Sequence, residues 1–306
     1  LGGVMGLEAI TGSSVVNIGR VSVGFWGPVI GLLAFGLLFF GNYRTIERGL
    51  VGLVILMSLT FISTAIIVKP NLAGILSGLI RPVIPEGGIL TIAGLIGTTV
   101  VPYNLFLHAS AVRERWSDAS NLPAARIDSI ISIGAGGLIS MAIVVTSAAA
   151  FYGKPVEIGG AADMAIQLKP LLGKSSGLFL SFGLLAAGLS SAITAPLAAA
   201  YATSGILGWP GKIKETKFRL VWMAVLFTGV IFSIAGFKPV MAIFFAQVTN
   251  GLLLPLVAVF LLKVMNNKHL LGSFRNGMFA NIAGLIVVAI TIMLAVKSLL
   301  SLLHIT

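Results

Sequence analysis

Cysteine is absent from all 306 residues, which excludes disulfides, thiolate metal ligands and a cysteine nucleophile. Charge is scarce as well. Asp, Glu, Lys and Arg make up 9% of the chain against 57% apolar residues, a balance that no soluble domain of this length carries. The composition points to an all-α polytopic membrane protein. Acidic residues number 9 against 20 Lys and Arg, for a net charge of +11. The basic residues sit singly in short gaps between apolar runs and form no stripe. They read as topology signals beside a lipid bilayer, and nucleic acid is not expected as a partner. Histidine is limited to His108, His269 and His304, and no H-E-x-x-H occurs. Hydrolysis needs a nucleophile with its base, or a metal held by His and carboxylates, so neither an enzyme nor a cofactor is expected. Position 1 is Leu, and the first residues are apolar without a basic leader or a small-residue cleavage site. The chain is expected to begin inside a span, truncated at its N-terminus.

What the sequence has in abundance is long uncharged runs. They cover about 21–43, 49–68, 87–112, 129–153, 175–211, 220–237, 239–262 and 276–296. Each is near or above the ~18 residues of a spanning helix, so about eight full spans follow a partial first one. That first segment, Leu1 to roughly Ile18, holds Gly2, Gly3, Gly6, Ser13 and Ser14, small residues that let helices approach closely. Its Glu8 is either a buried proton site or an interfacial carboxylate. Loop charge sets the orientation. One set of gaps carries Arg44, Arg48, Arg113, Arg115, Arg126, Lys212, Lys214, Lys217, Arg219, Lys263, Lys268 and Arg275. The other carries Arg20, Lys69, Arg81, Lys154, Lys169, Lys174 and Lys238, so the first set is placed in the cytoplasm. On the outer side, Pro70 to Pro85 reads as an interfacial or re-entrant element, and 157–173 as a short surface helix.

The run 87–112 contains Pro102, which supplies no N–H, clashes with the preceding turn and biases Val101 away from the α region. Two half-helices are expected there. Backbone groups freed at mid-membrane are tolerated where protein or a wet cavity satisfies them, as at the ion sites of secondary transporters. A proline kink in a packing helix is the alternative. Thr98, Thr99, Tyr103, Asn104 and His108 crowd polar groups around the break. The run 175–211 is longer than a bilayer requires and is rich in small residues from Ala186 to Ala200, which suits close helix packing. Its Ser190, Ser191 and Thr194 either bond back to their own helix or line a path. Gln247, Thr249 and Asn250 lie within an apolar span and must face the bundle interior, for a helix-to-helix hydrogen bond or for transport. Gly251 and Pro255 beside them permit local unwinding.

The stretch from Thr98 to His108, T-T-V-V-P-Y-N-L-F-L-H, resembles the sixth-helix signature A-T-V-M-P-H-N-L-Y-L-H of the NRAMP family of divalent-metal transporters. Leu185 to Thr194, L-A-A-G-L-S-S-A-I-T, resembles the family's eighth helix, A-A-G-Q-S-S-T-I-T. The resemblance covers the whole chain, from late in the third helix to the eleventh. It implies a single transmembrane transporter domain over residues 1–306, part of a five-plus-five inverted-repeat fold of the APC/LeuT type. In that fold the broken first and sixth helices face each other around the metal. The first helix's D-P-G-N motif does not occur here. Carried onto this chain, the resemblance makes Thr98, Thr99, Val101, Tyr103 and Asn104 the metal-binding candidates, with Pro102 as the helix break. His108, Gln247 and Asn250 become candidates for a proton path or gate, a structural His108 being the other reading.

The chemistry departs from the family pattern. The usual Ala and Met are Thr98 and Val101 here, the first His is Tyr103, and the eighth-helix Gln is Leu189. A thioether favours soft metals, whereas hydroxyl and carbonyl oxygens suit harder ions. The resemblance therefore implies proton-linked secondary transport of a divalent ion, Mg2+ or Mn2+ ahead of Fe2+, by a multi-pass protein of a bacterial plasma membrane. A same-fold transporter of another cation or a small organic solute, or a non-transporting fragment, are the competing readings.

Overall fold

The computed structural model describes the chain apart from residues 13–14, 19–20, 41–43, 86, 117, 155–157, 236–237 and 304–306. Ser13, Ser14, Arg20, Glu157 and His304 lie outside the described residues, as do the side chains of Arg44, Arg48 and Tyr103.

Helix α1 (Gly2–Thr11) precedes an antiparallel hairpin of β1 (Val15–Ile18) and β2 (Val21–Gly24), in which Val15 faces Gly24 and Ile18 faces Val21. Then come α2 (Trp26–Phe40), α3 (Arg44–Ile67), α4 (Leu72–Ile80), α5 (Ile89–Thr99), α6 (Pro102–Arg115) and α7 (Leu122–Phe151). Short turns α8 (Ala161–Met164) and α9 (Lys169–Leu172) lead into α10 (Ser176–Leu207) and α11 (Thr216–Ile234). The chain closes with α12 (Pro239–Met265), the single turn α13 (Lys268–Leu271) and α14 (Met278–Leu302).

All eight apolar runs are helical over most of their length. Among the described residues six stretches are long and apolar enough to cross a membrane, and a seventh if α3 and α4, bent by 108° at their junction, count as one. The remaining run, expected from residue 21, is a correction. Residues Val21–Gly24 form a strand, and α2 has 15 residues, or about 22 Å. Val15, Val16, Ile18, Val21 and Val23 are β-branched and flank a two-residue connection containing Gly19, which is hairpin chemistry. High apolarity alone hides that signal.

The contacts divide the chain into two compact units, residues 1–76 with 106–241, and residues 77–105 with 242–306. In the first, α1 lies along α10 by backbone contact. A Cβ at Gly6 would stand 2.5 Å from the Ser181 carbonyl oxygen and 2.8 Å from the Leu185 nitrogen, and one at Gly188 would stand 2.6 Å from the Gly3 Cα. Only glycine permits that approach. The small-residue stretch of α10 thus packs helices, as its composition suggests, with Ala186, Ala198 and Ala200 buried. Glu8 is partly exposed near the end of α1. The main core joins Ala34 and Leu38 of α2, Ile193 of α10, and Phe218, Trp222 and Leu226 of α11. Helix α10 stays helical through Pro196 and ends at Gly208, whose left-handed backbone (φ 66°, ψ 25°) lets its N–H bond the Ser204 carbonyl.

A second core corrects the surface-helix reading of 157–173. Ala165 and Leu168 are buried with Phe61 of α3, Ala142 of α7 and Leu180 of α10. Gln167 pins this strap: its Oε1 accepts from Ser147 Oγ at 2.7 Å, and its Nε2 donates to the Met164 carbonyl at 2.9 Å. By contrast α4 buries none of its residues, and Leu72, Leu76, Leu79 and Ile80 are exposed, as suits an interfacial element.

In the second unit α5 packs against α14, and its glycines meet α12. Asparagines tie the end of α12 to the start of α14. Asn266 and Asn281 exchange amide hydrogen bonds at 2.7 Å, Asn276 Nδ2 donates to Asn281 Oδ1 at 3.2 Å, and the Asn276 N–H donates to the Met265 carbonyl at 2.9 Å.

Candidate functional site

Helix α5 stops where proline chemistry requires. The regular partner of the Thr98 carbonyl would be the N–H of residue 102, and Pro102 has none. Val100 leaves the helical region at φ −119° and ψ 85°, its N–H still bonded to the Ile96 carbonyl at 2.9 Å. A new helix starts at Pro102, the favoured first position for proline, and the Asn104 N–H donates to the Val101 carbonyl at 3.0 Å. Together the two halves supply a 25-residue apolar span. The two half-helices expected from the sequence are present.

Around the break, Thr98, Thr99, Val100 and Asn104 are exposed, whereas Val101 is buried. Thr98 Oγ1 donates to the Gly94 carbonyl at 2.8 Å, and Thr99 Oγ1 donates to the Ile96 carbonyl at 2.9 Å. Each hydroxyl has therefore committed its proton inward and keeps oxygen lone pairs for another partner. With its side chain buried, Val101 offers its backbone carbonyl. That oxygen takes the Asn104 N–H and retains a second lone pair. Among the described residues no three His, Cys, Asp or Glu side chains converge. What the break presents is a set of neutral oxygens.

The residues that bring α12 to this break are glycines. A Cβ at Gly97 would overlap the Gln247 carbonyl oxygen and stand 2.6 Å from the Gly251 nitrogen; one at Gly251 would stand 2.5 Å from the Ala93 carbonyl oxygen. Backbone therefore meets backbone where α5 ends, and Gln247 sits at that crossing. Asn250 Nδ2 donates to Gln247 Oε1 at 3.1 Å, so these two amides pair within α12, and Thr249 bonds back to the Phe245 carbonyl. Helix α12 continues unbroken through Gly251 and Pro255, so Gly251 serves close approach rather than the unwinding anticipated for it. Composition marks both Gly97 and Gly251 as small, but not that they meet.

His108 stands in the other unit, three turns of sequence away from Thr98, and sequence reasoning missed its partner. Its Nε2 lies 3.1 Å from Ser129 Oγ, and Ser129 Oγ lies 2.9 Å from the Ala125 carbonyl. A hydroxyl has one proton, here given to the carbonyl, so Ser129 accepts from His108. That contact turns the Nε2 edge of the ring toward Ser129 of α7.

The natural resistance-associated macrophage protein-like family model matches residues 1–301. Among curated relatives, the "Divalent metal cation transporter MntH" of Staphylococcus saprophyticus is 30% identical over 261 residues, covering 79% of this chain and 58% of the relative. The proteins of the same name from Caldanaerobacter subterraneus and Deinococcus radiodurans are each 27% identical over 96% of this chain, which spans 69% and 66% of them. The chain thus spans about three-fifths to two-thirds of the length of these relatives. They are transporters and not enzymes, and the family's proteins are multi-pass in the membrane. With a match over nearly its whole length and a helix broken at Pro102, the chain belongs to the Nramp family.

Proposed function

We propose that the full-length protein carries a divalent metal ion across a bacterial plasma membrane, with Mg2+ or Mn2+ as the preferred substrate. The observation that carries this reading is the break at Val100–Val101, with exposed Thr98, Thr99 and Asn104 around it and Gln247 at the adjoining helix crossing. Hydroxyl, carbonyl and amide oxygens are hard ligands and match ions that keep an oxygen shell. Residue 101 adds no sulfur, so nothing on this helix rewards a thiophilic metal. The names of the relatives support metal as the cargo. The five-plus-five repeat and a single transporter domain over residues 1–306 belong to the same proposal, as does proton coupling through His108.

The test is uptake by full-length protein in liposomes. Pro102→Ala restores an N–H to the Thr98 carbonyl and favours a continuous helix, and should lower divalent-ion uptake far more than it lowers the thermal midpoint. Normal uptake by this variant would reduce the break to a packing kink.

A further inference from the structure

Residues 216–306 contain no Asp or Glu, yet they hold Lys217, Arg219, Lys238, Lys263, Lys268, Arg275 and Lys297. Lys263, Lys268 and Arg275 gather at the connection between α12 and α14, which loop charge places at the cytoplasmic face. All three are exposed, and among the described residues none has a carboxylate partner.

At this end of α12, Val259, Leu262, Lys263, Asn266 and Asn267 line an open groove of about 450 Å3. Val259 and Leu262 supply an apolar wall on the last two turns of a spanning helix, and the polar residues follow within one turn at its end. The asparagines there bond to one another and to the backbone. Asn266 Oδ1 accepts from Asn281, and Asn281 Oδ1 accepts from Asn266 and Asn276. Asn267 Oδ1 accepts the backbone N–H groups of His269 and Leu270 as the cap of α13, which fixes its amide orientation. Both lone pairs of Asn267 Oδ1 are taken, whereas among the described residues Asn267 Nδ2 and the Lys263 ammonium remain as donors. Donors and positive charge above an apolar wall, at the level where a span meets water, form a site for an amphiphilic anion.

We propose that this groove binds an anionic phospholipid of the cytoplasmic leaflet. The headgroup phosphate lies on Lys263 Nζ and Asn267 Nδ2, and the glycerol and upper acyl carbons lie against Val259 and Leu262. The asparagine network holds the two donors in place by fixing the α12 end to the α14 start. This site is separate from the break at Pro102, and its occupancy does not depend on which ion is carried.

The test is lipid retention by purified full-length protein, read by native mass spectrometry and by competition with a fluorescent phosphatidylglycerol. Phosphatidylglycerol should be held about fivefold more tightly than phosphatidylcholine, the factor expected for one ammonium near the membrane surface. Lys263→Gln should erase that preference. Asn267→Asp keeps the oxygen that caps α13 but replaces the amide donor with a negative charge, and should also erase it while leaving the thermal midpoint intact. Lys238→Gln, an exposed cation just before the start of α12 and so a whole helix length from the groove, should leave the preference unchanged. Equal retention of both lipids, a preference that survives Lys263→Gln and Asn267→Asp, an equal loss in Lys238→Gln, or glycerol phosphate binding as well as the lipid would each overturn the proposal.

Discussion

Gly97→Ala places one methyl group at the crossing of α5 and α12, where there is no room for it. The new carbon would overlap the Gln247 carbonyl oxygen, and the Gly251 nitrogen at 2.6 Å would have to retreat by about 0.4 Å to reach the 3.0 Å below which real Cβ contacts essentially never fall. Both obstacles are backbone atoms of a continuous helix, so no side-chain rotation relieves them. Overpacking of this kind costs about 3 kcal/mol, the upper end of its usual range, and the better helix propensity of alanine returns about 1 kcal/mol. The net loss is about 2 kcal/mol. Gly94→Ala on the same helix is the control, because its nearest obstacle is Val248 Cγ2 at 3.4 Å, an ordinary contact with a movable methyl group. It should be neutral or slightly stabilising. Thermal unfolding of both variants in detergent, beside metal uptake in liposomes, should show Gly97→Ala unstable and slow and Gly94→Ala close to wild type. Equal behaviour of the two variants would refute the backbone crossing and the placement of Gln247 beside the break.

Two further outcomes can be checked without a transport assay. Because the chain has no cysteine, Trp116→Cys and Glu215→Cys give single labelling sites, and both should resist an impermeant thiol reagent applied outside intact cells. Labelling at either would invert the orientation. Gln167→Ala should lower stability by about 1 kcal/mol, since it removes the partner of the part-buried Ser147 hydroxyl, and an unchanged unfolding midpoint would show that the strap is held by apolar contacts alone.

The break was legible because proline acts locally: Pro102 in an uncharged run removes one N–H and disturbs the turn before it, whatever else surrounds it. The back-bonding of Thr98 and Thr99 is equally local. Other features depend on residues distant in sequence. Ser129 lies 21 residues from His108, and Gly251 lies far from Gly97, so neither pairing leaves a mark in composition. The strap around Gln167 looked like a surface helix because its mixed polarity is the same whether solvent or α3, α7 and α10 cover it. The hairpin at 15–24 carried its own signal in β-branched residues around Gly19, outweighed by the apolarity that suggested a span.

The role of the break as an ion site is best judged at position 101, with Val101→Met and Val101→Leu compared in full-length protein reconstituted in liposomes. Val101 is buried, so both substitutions add bulk, but only methionine adds a soft sulfur ligand. Competition between Cd2+ and Mg2+ should shift toward Cd2+ in Val101→Met by roughly tenfold relative to Val101→Leu, equivalent to about 1.4 kcal/mol. Identical competition curves for the methionine and leucine variants would show that residue 101 does not reach the ion, and the site would have to be sought elsewhere in the protein.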